Sequence, residues 1–297
     1  MAYHSLLRKV ITLQRKVKLI PPNSAILVAF SGGVDSSSLA VALQRLKEPL
    51  KIKRLALLHI NHLLRGEESY RDENFAKDFA RKYSLELFVE RVDVPNLAKK
   101  RGGNIEATAR KERYRLFEEV RKREGFDLVA TAHHLGDLVE TIILWLTRGT
   151  GLEGLLGFEP VEGNIVRPFY LATRQEIEDF AKKQAIEWVE DSTNYDISLA
   201  RNRIRHRVVP ELKTINPNLE ESVLRMREIL KEENELIERL VQTALLKVKE
   251  EGREGFLKLE PALQRRVVMR LYGVKNFKEV SRIINRIKKG DKISVSV

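Results

Sequence analysis

The sequence predicts an α/β protein, a doubly wound parallel sheet followed by a second, smaller helical domain. Three observations carry that expectation. Short apolar runs alternate with helical patterns along the first half of the chain. Polar and glycine-rich stretches fall where those runs end, which is where ligands bind in such sheets. After Pro210 the strand-like runs stop and helical periodicity takes over. For 297 residues this gives two domains, 1–210 and 211–297.

The first element is an amphipathic basic helix in MAYHSLLRKVITLQRKVKLI. It lacks the compact apolar block and small-residue cleavage site of a signal peptide, and suits both a transit peptide and a helix of the fold. The run AILVAF, Ala25–Phe30, reads as a buried strand, with Ser36–Leu46 as the helix after it. Strands at Arg54–Ile60, Glu86–Glu90 and Leu128–Ala132 alternate with helices at Tyr70–Tyr83, Ile105–Arg123 and Gly136–Thr147. A glycine-rich connector, GTGLEGLLG, leads to VRPFY, a helix from Arg174 to about Lys183, and the polar stretch EDSTNYD. Asn218–Glu251 then forms one long helical pattern, with shorter helices at Pro261–Leu271 and Phe277–Lys289. An aliphatic surface on the long helix suits a homodimer and packing onto its own domain equally well.

Composition removes several function classes. With 43% apolar residues the chain can bury a sizeable core, yet no segment approaches the length of a membrane span. No membrane partner and a cytoplasmic location are therefore expected. The absence of cysteine excludes disulfides, Cys-ligated zinc, iron–sulfur clusters and thiolate chemistry. A net charge of +12 favours a polyanionic partner, nucleic acid before membrane. The 32% of charged residues equally describes the ion-pair-rich surface of a thermophile.

The stretch FSGGVDSSS, residues 30–38, sits where the first strand turns into a helix. Ser31, Gly32, Gly33, Val34, Asp35 and Ser36 there offer backbone N–H groups to one anion, with the helix dipole in support. The two glycines permit the close approach a phosphate nest requires, and Ser36 is expected to cap the helix. The loop has no lysine, unlike GxxxxGK[ST] phosphate loops. Asp35 would repel phosphates unless a divalent cation came with them, which implies Mg²⁺ with Asp35 as its ligand. A tight strand-to-helix turn with a serine cap is the plain alternative.

Further constellations lie at the other strand ends. Asp137 and Glu140 are three apart and His133 is four before Asp137, so a helix beginning by His133 puts all three on one face. Two carboxylates so placed can hold an ammonium group, and one can act as base; an ordinary acidic helix start has the same look. Glu106, Arg110 and Arg113 form one helical stripe, with Arg113 the candidate for binding carboxylate or phosphate. RNRIRHR, Arg201–Arg207, aligns Arg201 with Arg205, which suits phosphate contacts as well as a solvated basic face.

SGGVDS at Ser31–Ser36 resembles the PP-loop of N-type ATP pyrophosphatases, whose Rossmann-like enzymes split ATP between the α and β phosphates. Four more blocks resemble the tRNA(Ile)-lysidine synthetase family: HINHLLR (His59–Arg65), GGNIEATARKERY (Gly102–Tyr114), TAHHLGDLVET (Thr131–Thr141) and EDSTNYDISLARNRIR (Glu190–Arg205). The resemblance covers most of residues 25 to 210. It implies a ligase that uses ATP to adenylate O2 of the wobble cytidine in isoleucine tRNA with the CAU anticodon. The ε-amine of free L-lysine then attacks C2 and displaces AMP. It also implies that His59 and Asn61 contact the nucleotide, that Asp35, Arg113, His133, Asp137, Glu140 and Arg205 serve catalysis, and that the helical domain binds tRNA. The chain departs from the family pattern H-H-x-D-D-Q-x-E-T at Gly136 and Leu138, while keeping Asp137, Glu140 and Thr141. An ammonia-using amide synthetase and a non-catalytic tRNA-binding protein are the alternatives; thiolation fails for want of cysteine.

Overall fold

The computed structural model describes residues 4–64, 66–190 and 196–293. Arg65 of the HINHLLR block and residues 191–195 of the EDSTNYD stretch lie outside the described residues. The chain divides into two compact units, residues 1–150 with 157–224, and residues 151–156 with 225–297.

The first unit is built on β1 (Ala25–Ala29), β2 (Arg54–Asn61), β3 (Glu86–Arg91), β4 (Leu128–Ala130), β5 (Val161–Glu162) and β6 (Ile165–Val166). These form one sheet in the order β3-β2-β1-β4-β6-β5. All neighbours are parallel except the β5–β6 hairpin. Ile26, Leu27 and Val28 of β1 are wholly buried, as continuous aliphatic runs are in a sheet covered on both faces. On one face Leu27, Leu58 and Val129 pack with Phe117 and Val120. Because β1 is central and its neighbours β2 and β4 lie on opposite sides, the crevice beyond its C-terminal end is the switch point of the fold.

The helices of this unit are α1 (Ser5–Val17), α2 (Val34–Arg45), α3 (Glu67–Lys82), α4 (Val94–Arg101), α5 (Ile105–Arg123) and α6 (Leu135–Thr147), then α8 (Arg174–Lys183), α9 (Ala200–Arg203) and α10 (Val209–Ile215). The N-terminal amphipathic stretch is part of the fold: α1 buries Leu6, Leu7, Val10 and Leu13, and Lys9 Nζ donates to Glu176 of α8 at 2.6 Å. Helix α4 was not expected from the sequence. Asp93 caps it by accepting from Asn96 N–H at 3.0 Å, and Gly102 ends it at φ 61°. The β5–β6 hairpin was also missed, although its Gly163-Asn164 turn, with Gly163 at φ 56°, is a recognised two-residue signal.

The second unit contains α7 (Leu152–Leu155), the larger part of α11 (Leu219–Leu257), α12 (Pro261–Tyr272) and α13 (Phe277–Lys289). Its core gathers Val248, Phe256, Val267, Val268, Val280 and Ile284. Helix α11 outruns the expected Glu251 and breaks locally at Gly252, whose φ of 62° and ψ of −134° only glycine adopts at low cost. Arg253 then donates to the carbonyls of Ile287 and Lys288, satisfying the C-terminal end of α13. No helix among the described residues is long and apolar enough to cross a membrane.

Candidate functional site

The turn after β1 is not closed by Ser36. Helix α2 starts at Val34 with Gly33 as its N-cap, and no side chain caps it. Ser36 instead lies inside the first turn: its Oγ donates to Gly33 O at 3.1 Å, accepts from Ser31 N–H at 3.2 Å and meets Ser31 Oγ at 3.1 Å. The serines therefore brace the loop from within and leave the first N–H groups of α2 without a side-chain partner, which is the arrangement an anion needs. Gly32 stands at φ +87°, and a Cβ there would come 3.2 Å from the Phe75 ring. Both the dihedral and the close approach require glycine.

Asp35 faces out of this first turn. Its Oδ2 accepts from Arg174 at 2.6 Å, while its Oδ1 is buried without a hydrogen-bond partner. Burial pushes the Asp35 carboxyl above its usual range, against the opposing influence of the nearby His134 and Arg174 side chains. Arg174 comes from the start of α8, 139 residues away, and no local pattern announces it.

The end of β4 supplies the second wall. Helix α6 begins at Leu135 with His134 as its cap, so His133 stands before the helix rather than on its face. His133 Nδ1 lies 2.9 Å from Thr131 Oγ1, and its ring is 5.6 Å from that of Phe158. Burial lowers the His133 pKa to about 4, leaving it neutral at pH 7. Asp137 and Glu140 do share a face of α6, and both are buried.

Two arginines close over that pair. Arg201 Nε donates to Glu140 Oε2 at 3.0 Å and its Nη2 to Asp137 Oδ1 at 3.0 Å. Arg205 Nε donates to Glu140 Oε1 at 2.6 Å, while its Nη2 serves Glu140 Oε2 at 2.9 Å and Asp137 Oδ1 at 3.1 Å. Arg201 lies on α9, and Arg205 on a π-helical turn over Ile204–Val208. The wider turn lets both guanidinium groups reach one carboxylate pair, and such turns gather at functional sites. Burial works to raise the Asp137 carboxyl, but neighbouring His134, Arg201, His133 and Arg205 outweigh it and hold Asp137 well below the usual carboxylate range.

A family described as the PP-loop domain matches residues 4–212. The chain is 36% identical to the tRNA(Ile)-lysidine synthase of Petrotoga mobilis over 75% of its own length and 71% of that protein. It belongs to the tRNA(Ile)-lysidine synthase family. The synthase of Persephonella marina is 43% identical over 78% of this chain and 51% of that protein, and that of Caldanaerobacter subterraneus 35% identical over 90% and 59%. The chain thus spans about half the length of several curated relatives it matches. A U34-tRNA thiolase from Methanococcus maripaludis with its [4Fe–4S] cluster shares the fold at a TM-score of 0.63 and 19% identity, covering 76% of this chain and 78% of that one. This member of the lysidine synthase family has no cysteine with which to ligate a cluster.

The remaining expected residues of this lysidine synthase family member take different places. His59 is buried, with Nδ1 3.1 Å from the Phe30 carbonyl and Nε2 unpartnered, directly behind the loop. Asn61 is engaged by its own surroundings: its amide donates to Ser69 O and Glu73, and its Oδ1 accepts from Leu63 N–H. Arg113 makes no ion pair with a described residue, and feels the charges of Arg110 and Arg201. Glu106 is exposed, while Arg110 lies over the Tyr114 ring at 5.0 Å. Arg201, aligned with Arg205 in the sequence, joins the site, and Arg174 and His134 complete it without having been singled out from the sequence.

Burial holds His62 as well as His133 down to about 4, against 6.5 for a free imidazole. The unfolded chain therefore takes up these protons first as the solution is acidified. This share of the stability is complete above about pH 6.5 and is lost as the pH falls towards 4. Urea unfolding midpoints should decline across that window, and a His62→Gln/His133→Gln variant should decline less steeply.

Proposed function

We propose that this chain carries out ATP-dependent ligation of free lysine to C2 of the wobble cytidine in isoleucine tRNA with the CAU anticodon. The observation that carries the reading is the meeting of an uncapped helix start at Gly33–Ser36 with the carboxylate pair Asp137–Glu140 beneath Arg201 and Arg205. Phosphates suit the first site and an ammonium group the second, which supports ATP and lysine as two of the three reactants, beside tRNA.

ATP would set its phosphates on the N–H groups of Val34–Ser36, supported by the Gly32 turn, with His59 behind the loop. Mg²⁺ fits the buried, unpartnered Oδ1 of Asp35. The described residues offer no group of three ligating side chains, so Asp35 would share the ion with phosphate oxygens, as Mg²⁺ sites commonly do. When bound, the ion neutralises charge on the departing pyrophosphate. Arg174 holds Asp35 in place from α8. Activation transfers AMP to the cytidine O2; the lysine nitrogen then bonds to C2 as the C2–O2 bond breaks and AMP leaves.

Asp137, held ionised, is suited to keeping the lysine ammonium in place, and Glu140 to accepting the proton the nitrogen must lose before it attacks. Both carboxylates accept from the Arg201 and Arg205 guanidinium groups. Lysine enters by replacing part of that set, and the arginine so released turns to the phosphate of the adenylate. Neutral His133 lines the pocket, and Arg113 receives the lysine carboxylate or a tRNA phosphate. The +12 charge and the helical second unit serve tRNA binding.

Pyrophosphate release discriminates the readings. Sustained release should require ATP, lysine and tRNA together, while a single turnover of adenylation should need ATP and tRNA alone. Release with ammonia and no RNA would instead mark an amide synthetase, and no release at all a binding protein.

A further inference from the structure

His134 is held in a more constrained geometry than its neighbour His133. It is 3% exposed and caps α6: the Gly136 N–H donates to its Nδ1 at 3.0 Å. A nitrogen that accepts a hydrogen bond from a backbone N–H carries no proton, so the neutral ring must hold its proton on Nε2. That nitrogen lies 3.6 Å from Asp137 Oδ2, outside hydrogen-bond length but close enough for its N–H dipole to favour the carboxylate anion. The same Oδ2 accepts from the His134 backbone N–H at 3.0 Å. One residue thus grips Asp137 by its main chain and faces it with its ring, while Oδ1 is left to Arg201 and Arg205.

Gly136 makes this possible. A Cβ at position 136 would lie 2.8 Å from His134 Cε1 and 3.1 Å from Nδ1, so a side chain there requires the ring to shift from its present place over the helix start. The chain's departure at Gly136 is therefore matched to the ring that lies over it.

We infer that His134 is a positioning residue for Asp137, locked by Gly136 in the Nε2–H tautomer. The inference rests on the proposed role of Asp137, but its first readout does not depend on activity. Long-range ¹H–¹⁵N spectra of histidine-labelled protein, with His134 assigned from its loss in His134→Asn, should show the Nε2–H pattern at pH 7.5. In Gly136→Ala that pattern should be lost. An Nδ1–H or exchange-averaged pattern in the wild type, or an unaltered one in Gly136→Ala, would overturn the tautomer lock. In His134→Asn the asparagine still caps the helix, so the melting temperature should stay close to wild type. Its kcat for lysine- and tRNA-dependent pyrophosphate release should nevertheless fall at least about tenfold, with KM for ATP nearly unchanged. A wild-type kcat in His134→Asn would reduce the residue to a helix cap and overturn the positioning role. A wild-type enzyme without activity but with the Nε2–H pattern would sink the proposed function and leave the tautomer lock standing.

Discussion

Asp137→Ala should lower lysine transfer by about 10³-fold or more, the scale expected when both a charge partner and the geometry of a neighbouring base are lost. Asp137 receives one hydrogen bond from each of Arg201 and Arg205, and its removal leaves two guanidinium groups facing Glu140 alone. The stability cost should be modest, about 2 kcal/mol, because both arginines keep roughly a third of their surface in water and keep Glu140. Affinity for tRNA should be nearly unchanged, measured by filter binding at fixed salt. Loss of tRNA binding in parallel with transfer would remove Asp137 from the lysine pocket and make it a support for the RNA-facing arginines.

Asp35→Asn should cut pyrophosphate release by about 10²–10³-fold, comparable to removing a preorganised electrostatic group from an active site. The substitution keeps the shape of the side chain and removes its charge. The Arg174 pair it weakens is partly exposed, so folding should be affected by less than about 1 kcal/mol. The defect should be partly relieved by raising Mg²⁺, because the variant's weakness lies in holding the ion. A variant with wild-type rates at all Mg²⁺ concentrations would show that Asp35 serves only its ion pair with Arg174.

Much of the fold could be read from residue patterns, because buried parallel strands such as AILVA and LALL leave unbroken aliphatic runs. The elements that escaped were short or ambiguous. Helix α4 has eight residues between Asp93 and Gly102, and the β5–β6 hairpin has two residues per strand. The loop at Ser31–Ser36 was visible as an anion site, but the cap was assigned to Ser36 because serine commonly fills that place. The structure gives the cap to Gly33 and turns Ser36 inward, which frees the helix start.

The pairing of Asp137 with Glu140 followed from spacing alone. Their partners did not, since Arg201 and Arg205 lie 61 to 68 residues further along the chain and meet the carboxylates through a π-helical turn that no sequence rule specifies. Arg174 is a still longer-range case. His133 was placed on the helix by its spacing of four from Asp137, and only the cap geometry shows that the helix begins after His134.

The most direct test is incubation with ATP, labelled lysine and tRNA, followed by digestion to nucleosides and mass analysis. The account predicts one new nucleoside, carrying the label and heavier than cytidine by lysine less one water, formed only from isoleucine tRNA with the CAU anticodon. Label absent from every nucleoside while pyrophosphate is still released would contradict it, and would assign the carboxylates and arginines to a different acceptor.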